Sequence, residues 1–303
     1  MMIKGLVSCI VTTYRRPVSV LKRALDSIMN QTYQNTEVIL INDDPQEEKL
    51  NKQIEKLLQS YQKKVRYIVL LEHQGACGAR NAGLKEASGE YVAFLDDDDE
   101  WLPQKLEIQM TYMKKEDVAL VYSSHYFVTA KGKRRKIEEP LAGKGMKGEE
   151  FKYLLRANFI GSTSSPLIRR QAVEAVGGFD RSLKSSQDHD LWLRIAREYR
   201  ICYLKEPLVM LYYSKDAISR SKKRVLQGYD CLLNKYALYY ENDKSTYNYR
   251  LNYLALCCIS LGYGREFLHY WGRAIRVKGF SVYNFMILGR ACRKIRYVLG
   301  DGE

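Results

Sequence analysis

Four apolar runs in the first hundred residues stop abruptly on polar or acidic side chains, and helix-like stretches separate them. Gly5 to Val11 runs into Thr12, Thr13 and Tyr14, Glu37 to Asn42 into Asp43 and Asp44, Val65 to Leu71 into Glu72, and Tyr91 to Leu95 into Asp96. Between them Leu21, Leu25 and Ile28 share one helical face, Leu50, Ile54, Leu57 and Leu58 another, and the small-residue run from Gly75 to Gly89 predicts a third helix. Strands buried on both faces read as unbroken apolar runs, so the pattern predicts an α/β fold with a mainly parallel central sheet and flanking helices. Sheets of this kind bind ligands beyond the carboxyl ends of their strands. Those ends carry Thr12, Tyr14, Asn42, Asp43, Asp44 and the acidic run from Asp96 to Asp99.

The acidic run is the chemical feature. Four adjacent carboxylates behind a hydrophobic strand repel one another, and burying any of them unpaired costs several kcal/mol. Water or a cation resolves that repulsion, and a hard divalent ion suits carboxylate oxygens. The plainer reading is an acidic turn capping a helix near Trp101, which needs one aspartate rather than four.

Further along, Leu106, Met110 and Met113 predict a helix, Val118 to Val128 a strand, and Lys131 to Lys136 an exposed basic hairpin tip. Ser162, in the hydroxyl-rich loop Gly161 to Ser165, sits in no GxSxG frame, so a nucleophile elbow is not indicated. After the tight break Gly177 to Asp180, Leu191, Trp192, Ile195 and Ala196 form a helical stripe, with Gln187 and Asp188 at its amino end. A carboxylate there gains a favourable dipole term; it serves either as a cap or as a working acid or base.

The segments VSCIVTTYRRP, VILINDDP, GARNAGLKEASGEYVAFLDDDDEWLP and GGFDRSLKSSQDHDLWLRIA, in that order, resemble family 2 glycosyltransferases of the GT-A fold. The resemblance covers about the first 215 residues. It implies a Rossmann-like catalytic domain over 1–215, with a nucleotide-sugar half at 1–103 and an acceptor half at 104–215, followed by a helical extension over 216–303. It further implies that Thr12 and Tyr14 line a nucleotide-base pocket, that Asn42 and Asp43 hydrogen-bond base and ribose, and that Arg80 and Asp97 approach the rest of the donor. Asp96 and Asp98 become the Asp-x-Asp pair for Mn2+ or Mg2+, and Asp188 the catalytic base, with Gln187 standing where the family carries Glu. His189 is the alternative base. The loop Gly161 to Ser165 then reads as a turn lining the acceptor groove.

The activity so implied is inverting transfer of a sugar from a nucleotide-diphosphate sugar, a UDP-sugar on this reading, to a glycan or lipid-linked oligosaccharide. A nucleotidyltransferase on a related sheet is the enzymatic alternative, but it wants a basic triphosphate loop, and Arg15 with Arg16 make only a short one. A non-catalytic nucleotide-binding protein is the other, and it predicts disrupted acids where Asp96, Asp98 and Asp188 stand.

Composition bounds the setting. A chain of 303 residues, 46% hydrophobic and 28% charged, is globular, and no apolar run reaches the eighteen or so residues of a membrane span. With no signal-peptide pattern, a cytoplasmic protein is expected. The seven cysteines show no CxxC spacing and are expected as small buried residues. The net charge of +14 calls for an anionic partner. Residues 216–303 hold fifteen Lys or Arg against seven Asp or Glu, interleaved with tyrosines, which predicts peripheral contact with an anionic membrane face or a helical appendage with solvated charges. No nucleic-acid reader motif is present, so nucleic acid is not expected as a partner.

Overall fold

The computed structural model describes residues 2–62, 64–114, 117–141, 146–213, 222–280 and 284. The chain forms two compact units, one of residues 1–151 with 159–217 and one of residues 152–158 with 218–303.

The first unit contains, in chain order, β1 (Ile3–Thr13), α1 (Val18–Met29), β2 (Thr36–Asn42), α2 (Glu48–Gln59), β3 (Val65–Val69), α3 (Gly75–Glu86), β4 (Gly89–Asp96), β5 (Glu100–Trp101), α4 (Lys105–Met113), β6 (Val118–Val128), β7 (Arg134–Ile137), the start of α5 (Glu149–Leu154), β8 (Leu167–Arg169), α6 (Arg170–Ala175), α7 (Gln187–Glu198) and β9 (Arg200–Tyr212). The strands form one sheet in the order β3-β2-β1-β4-β8-β6-β9-β5, with β7 beside β6. It is parallel from β3 through β4. Beyond β4 it is mixed, because β8 runs antiparallel to both β4 and β6 while β9 returns parallel to β6.

Both faces of the parallel half are covered, which is why its strands read as apolar runs. Val7, Cys9 and Val11 pack with Leu21, Leu25 and Ile28 of α1, Ile54 of α2 and Leu106, Met110 and Met113 of α4. On the other face α3 lies close to β1. A Cβ on Gly83 would sit 2.4 Å from Ile10 Cγ2, so only glycine lets that helix approach so near.

Under α4 lies Lys105, fully buried, its Nζ donating to Gln109 Oε1 at 2.8 Å and resting 4.2 Å from the centre of the Trp101 ring. Burial pushes its ammonium down from 10.5 to about 7. Between those values the unfolded chain holds a proton that the folded chain has released, so stability rises with pH across that window and is lowest below pH 7. Lys105→Met should therefore stabilise the protein more at pH 6 than at pH 9, by a difference of about 2 kcal/mol. Urea unfolding at the two pH values checks this; an equal effect at both would remove the buried charge as the cause.

The basic run divides between turn and strand. Lys131 to Lys133 form the tip, closed by Lys133 N–H donating to Thr129 Oγ1, while Arg134 to Lys136 belong to β7. Cys9, Cys77 and Cys258 are buried as expected, Cys202 and Cys257 half-buried, and Cys231 is exposed. Cys292 lies outside the described residues, as does most of the predicted helical stretch from Phe280 to Ile295.

In the second unit the described helices are α8 (Lys222–Lys235), α9 (Ala237–Asn242), α10 (Lys244–Leu261) and α11 (Gly264–Lys278). Asp243 caps α10, its side chain accepting from Ser245 and Thr246 N–H. Asn248 Nδ2 donates to Ala274 O at 2.7 Å, joining α10 to α11. Arg250 is buried between Tyr229 and Tyr253 and donates to Arg156 O. No helix among the described residues is long and apolar enough to cross a membrane.

Candidate active site

Strand register sets the floor of the site. Thr12 pairs with Ile41 on one side and Asp96 on the other, and Thr13 with Asn42, so the carboxyl ends of three parallel strands finish in one row. Tyr14 follows, with a ring 43% exposed. Its partner is His73, in the loop between β3 and α3, whose ring centre lies 4.4 Å away at an interplanar angle of 37°.

The acids after β2 are turned inward. Asn42 is buried, donating to Asn51 Oδ1 and Tyr67 OH and accepting from Asp44 N–H. Asp43 Oδ1 accepts from Gln74 N–H at 2.7 Å, and its Oδ2 lies 3.0 Å from His73 Nδ1. Asp44 accepts from Arg15 Nε and Gln46 N–H. These side chains fasten the loops after β2, β3 and β1 together, while Tyr14, Arg15 and His73 face outward. His73 is a lone histidine in the sequence, and its place here shows only in the tilted ring contact with Tyr14 and the contact with Asp43.

At the end of β4 the chain turns, Asp99 N–H donating to Asp96 O at 3.0 Å, and three arginines meet the acidic run. Arg80 Nη2 donates to Asp96 Oδ1 at 2.6 Å, and Thr163 Oγ1 lies 3.0 Å from both oxygens of the same carboxylate. Arg16 Nε donates to Asp97 Oδ1 at 2.8 Å while its Nη2 sits 3.1 Å from Asp98 Oδ2. Arg23 Nη2 donates to the backbone carbonyl of Asp98 at 2.6 Å and stacks on Tyr212, 3.7 Å from the ring centre. Asp99 is buried, accepting from Ser164 Oγ at 2.6 Å and from Tyr212 N–H at 3.3 Å. The loop Gly161 to Ser165 thus anchors the acidic turn through Thr163 and Ser164.

Crowding is not fully relieved by these partners. Burial pushes the Asp97 carboxyl up to about 6 against the pull of Arg16. Burial and the charge of Asp96 raise Asp98, and burial with the charges of Asp96 and Asp98 raises Asp99 well above the usual carboxylate range. Among the described residues no group of three or more His, Cys, Asp or Glu is disposed to hold a metal alone. Two carboxylates, Asp96 and Asp98, nevertheless fit a hard divalent ion that takes its remaining ligands from phosphate and water, the usual arrangement for magnesium. Both are already engaged by cationic side chains, Asp96 by Arg80 with Thr163 beside it and Asp98 by Arg16.

The opposite wall is the start of α7. Ser186 is left-handed, with φ 57°, and no side chain caps the helix. Asp188 lies in the first turn, half-buried, and its charge acts on Arg80. His189 and Asp190 are buried, Asp190 paired with Arg194 at 2.8 Å, so Asp188 is the less buried acid of this turn. Gln187 Oε1 lies 3.5 Å from Arg80 Nη1. The next residue, Asn81, brackets Phe179 by accepting its N–H at 2.9 Å and donating to its carbonyl at 2.8 Å. Gly178 makes that approach, with φ +68° and no room for a Cβ beside Asn81 Oδ1. Arg80 and Asn81 therefore hold the end of β4 and the approach to α7 in one frame. Burial opposes the charge on Arg80, but Asp96 outweighs it and keeps the guanidinium protonated.

The chain has relatives among known proteins. A profile described as Glycosyl transferase family 2 matches residues 8–177. An uncharacterized glycosyltransferase of Methanocaldococcus jannaschii is 32% identical over 75% of this chain and 78% of its own. The Escherichia coli UDP-Glc:alpha-D-GlcNAc-diphosphoundecaprenol beta-1,3-glucosyltransferase WfgD is 28% identical over 83% of this chain and 93% of its own. Among solved structures, S. aureus TarS 1-349 in complex with UDP-GlcNAc superposes with a TM-score of 0.66 at 17% identity, covering 89% of this chain and 81% of that one, a likeness of fold.

Proposed function

The chain belongs to glycosyl transferase family 2 and has the GT-A fold, and from that premise we propose that it is an inverting transferase moving a sugar from a UDP-sugar to a lipid-linked glycan. The observation that carries this reading is Arg80, which bonds Asp96 at 2.6 Å, reaches Gln187 at 3.5 Å and feels the charge of Asp188. It links the acidic turn after β4 to the first turn of α7, where Asp188 stands.

In the reaction proposed, the exposed, tilted ring pair of Tyr14 and His73 holds the base. Asp188 accepts the proton of the acceptor hydroxyl as its oxygen bonds the anomeric carbon. The bond from that carbon to the diphosphate breaks on the opposite face, and the diphosphate leaves with the electron pair, inverting the centre. A divalent cation, Mn2+ or Mg2+, held by Asp98 and Asp96 would offset the charge gathering on the leaving diphosphate, an effect of several kcal/mol. Gln187 adds no negative charge beside Asp188, so Arg80 is not drawn away from Asp96.

The acceptor is inferred from chemistry shared with WfgD, whose name records a diphosphoundecaprenol-linked substrate. The basic helical unit supports the same inference. It exposes Leu268 and Phe280, 61% and 63% accessible, among its cations, a composition suited to peripheral contact with an anionic inner membrane face. The nucleotidyltransferase alternative loses its basic loop, since Arg15 is bonded to Asp44 and Arg16 to Asp97.

The test is a screen of nucleotide sugars against a diphospholipid-linked sugar carried in anionic vesicles. A UDP-sugar with an α-anomeric donor bond is expected to give a β-linked product, with a rate that falls as salt screens the vesicle surface. An α-linked product read by NMR would refute inversion, and a rate indifferent to salt would refute the membrane contact.

A further inference from the structure

Three guanidinium groups face the four aspartates of the acidic turn, and they are not equivalent. The Arg80 side chain is only 12% exposed, and Arg23 is stacked on Tyr212 while bonded to a backbone carbonyl. Arg16 is different on both counts. Its side chain is 27% exposed, on the short loop between β1 and α1, and its Nη2 lies 3.1 Å from Oδ2 of Asp98, one of the two carboxylates assigned to the metal. It also follows Arg15, whose backbone is left-handed at φ 52°.

We propose that Arg16 is a resident competitor for Asp98, a positioning residue that keeps the acidic turn from holding a free divalent cation, so that the cation binds together with the nucleotide diphosphate. This rests on the metal reading given above and adds the residue that makes the metal's binding conditional.

The physical argument is charge. A dication reaching Asp98 meets a guanidinium on the same carboxylate, and a single and a double positive charge about 5 Å apart repel by an amount worth roughly tenfold or more in affinity, even at the dielectric of water. The turn has few means of compensation, since no third metal-capable side chain joins Asp96 and Asp98 among the described residues. A diphosphate supplies what is missing, because its oxygens complete the cation's shell and accept the guanidinium's donors at the same time. By linkage the factor by which nucleotide tightens the cation is the factor by which the cation tightens nucleotide.

The experiment is a calorimetric and paramagnetic-resonance titration of Mn2+ into full-length protein, with and without saturating UDP, for the wild type, Arg16→Gln and Arg16→Lys. In the wild type, UDP should tighten Mn2+ by at least about tenfold. Arg16→Gln should bind Mn2+ alone roughly tenfold more tightly than the wild type, and UDP should then add less. Arg16→Lys, which keeps a point charge, should stay near the wild type. An Arg16→Gln protein that binds Mn2+ alone no more tightly than the wild type overturns the proposal, as does an equal shift in both variants. Should the wild type bind no Mn2+ even with UDP, the metal reading itself falls, and the UDP arm distinguishes that failure from failure of Arg16 alone.

Discussion

Asp188→Asn is expected to leave a folded protein that binds UDP and Mn2+ as before and transfers sugar roughly two to four orders of magnitude more slowly. The substitution keeps the side chain's shape in the first turn of α7 and removes its ability to take a proton. The structural cost is small, because Asp188 is half-buried and asparagine keeps its volume; the Ser186 side chain, not that of Asp188, stands at the N-cap and makes no capping bond. What changes locally is the field at Arg80, which remains bonded to Asp96 at 2.6 Å. Steady-state transfer, thermal melting and UDP calorimetry on one preparation separate the cases. Near-normal transfer by the folded variant refutes the base assignment, whereas loss of UDP binding along with transfer would make Asp188 a structural residue.

The second large effect is at Asp98. Asp98→Ala should abolish the Mn2+-dependent part of donor binding, a loss of about a hundredfold or more in UDP affinity measured with the metal, and should leave metal-free UDP binding little changed. Asp98 is suited to this test in a way that Asp96 is not. Removing the Asp96 carboxylate strands a buried arginine, and breaking such a pair costs about 3 to 5 kcal/mol of stability whatever the metal does. Removing the Asp98 side chain leaves Arg23 on the backbone carbonyl and Arg16 on Asp97. Undiminished UDP affinity in Mn2+ would take the metal away from this carboxylate.

How much of this was legible beforehand depended on whether a residue's neighbours were close in sequence. The parallel half was readable because Val7 to Val11, Val38 to Ile41 and Val92 to Leu95 are buried on both faces and, apart from Ser8, apolar. Leu191, Trp192, Ile195 and Ala196 are all buried, so the stripe that placed Asp188 at a helix start reflected real packing. The clamps on the acidic turn were not readable. Arg16 meets Asp97 across 81 positions and Thr163 meets Asp96 across 67, and no periodicity announces such pairs. Arg15 and Arg16 read as a short basic loop, and nothing in the hydroxyl loop at 161–165 pointed to its bonds with Asp96 and Asp99. β5 is two residues long, below the reach of any strand pattern. The left-handed backbones at Arg15 and Ser186 are likewise invisible to propensity, which puts glycine at such places, and both stand at the rim of the cleft. Segment 152–158 also escaped the boundary expected near residue 215, because it groups with the helical unit through contacts such as Tyr240 OH to Leu155 O.

The long-range closure of the acidic turn bears on the order in which the protein is made. The strands β1 to β4 pair within the first 96 residues, so a ribosome delivers everything they need early. The turn that follows them cannot be finished then. Glu100 and Trp101 pair with Met210 and Val209, and Asp99 waits for the amide of Tyr212, 113 residues downstream. Contacts so distant pay their loop-closure entropy last, and N-terminal elements fold first during synthesis. The nascent chain therefore holds the parallel sheet with Arg16, Arg23 and Arg80 already at hand for the acidic turn, while the bonds that Thr163, Ser164 and Tyr212 give Asp96 and Asp99 form only once those later segments dock.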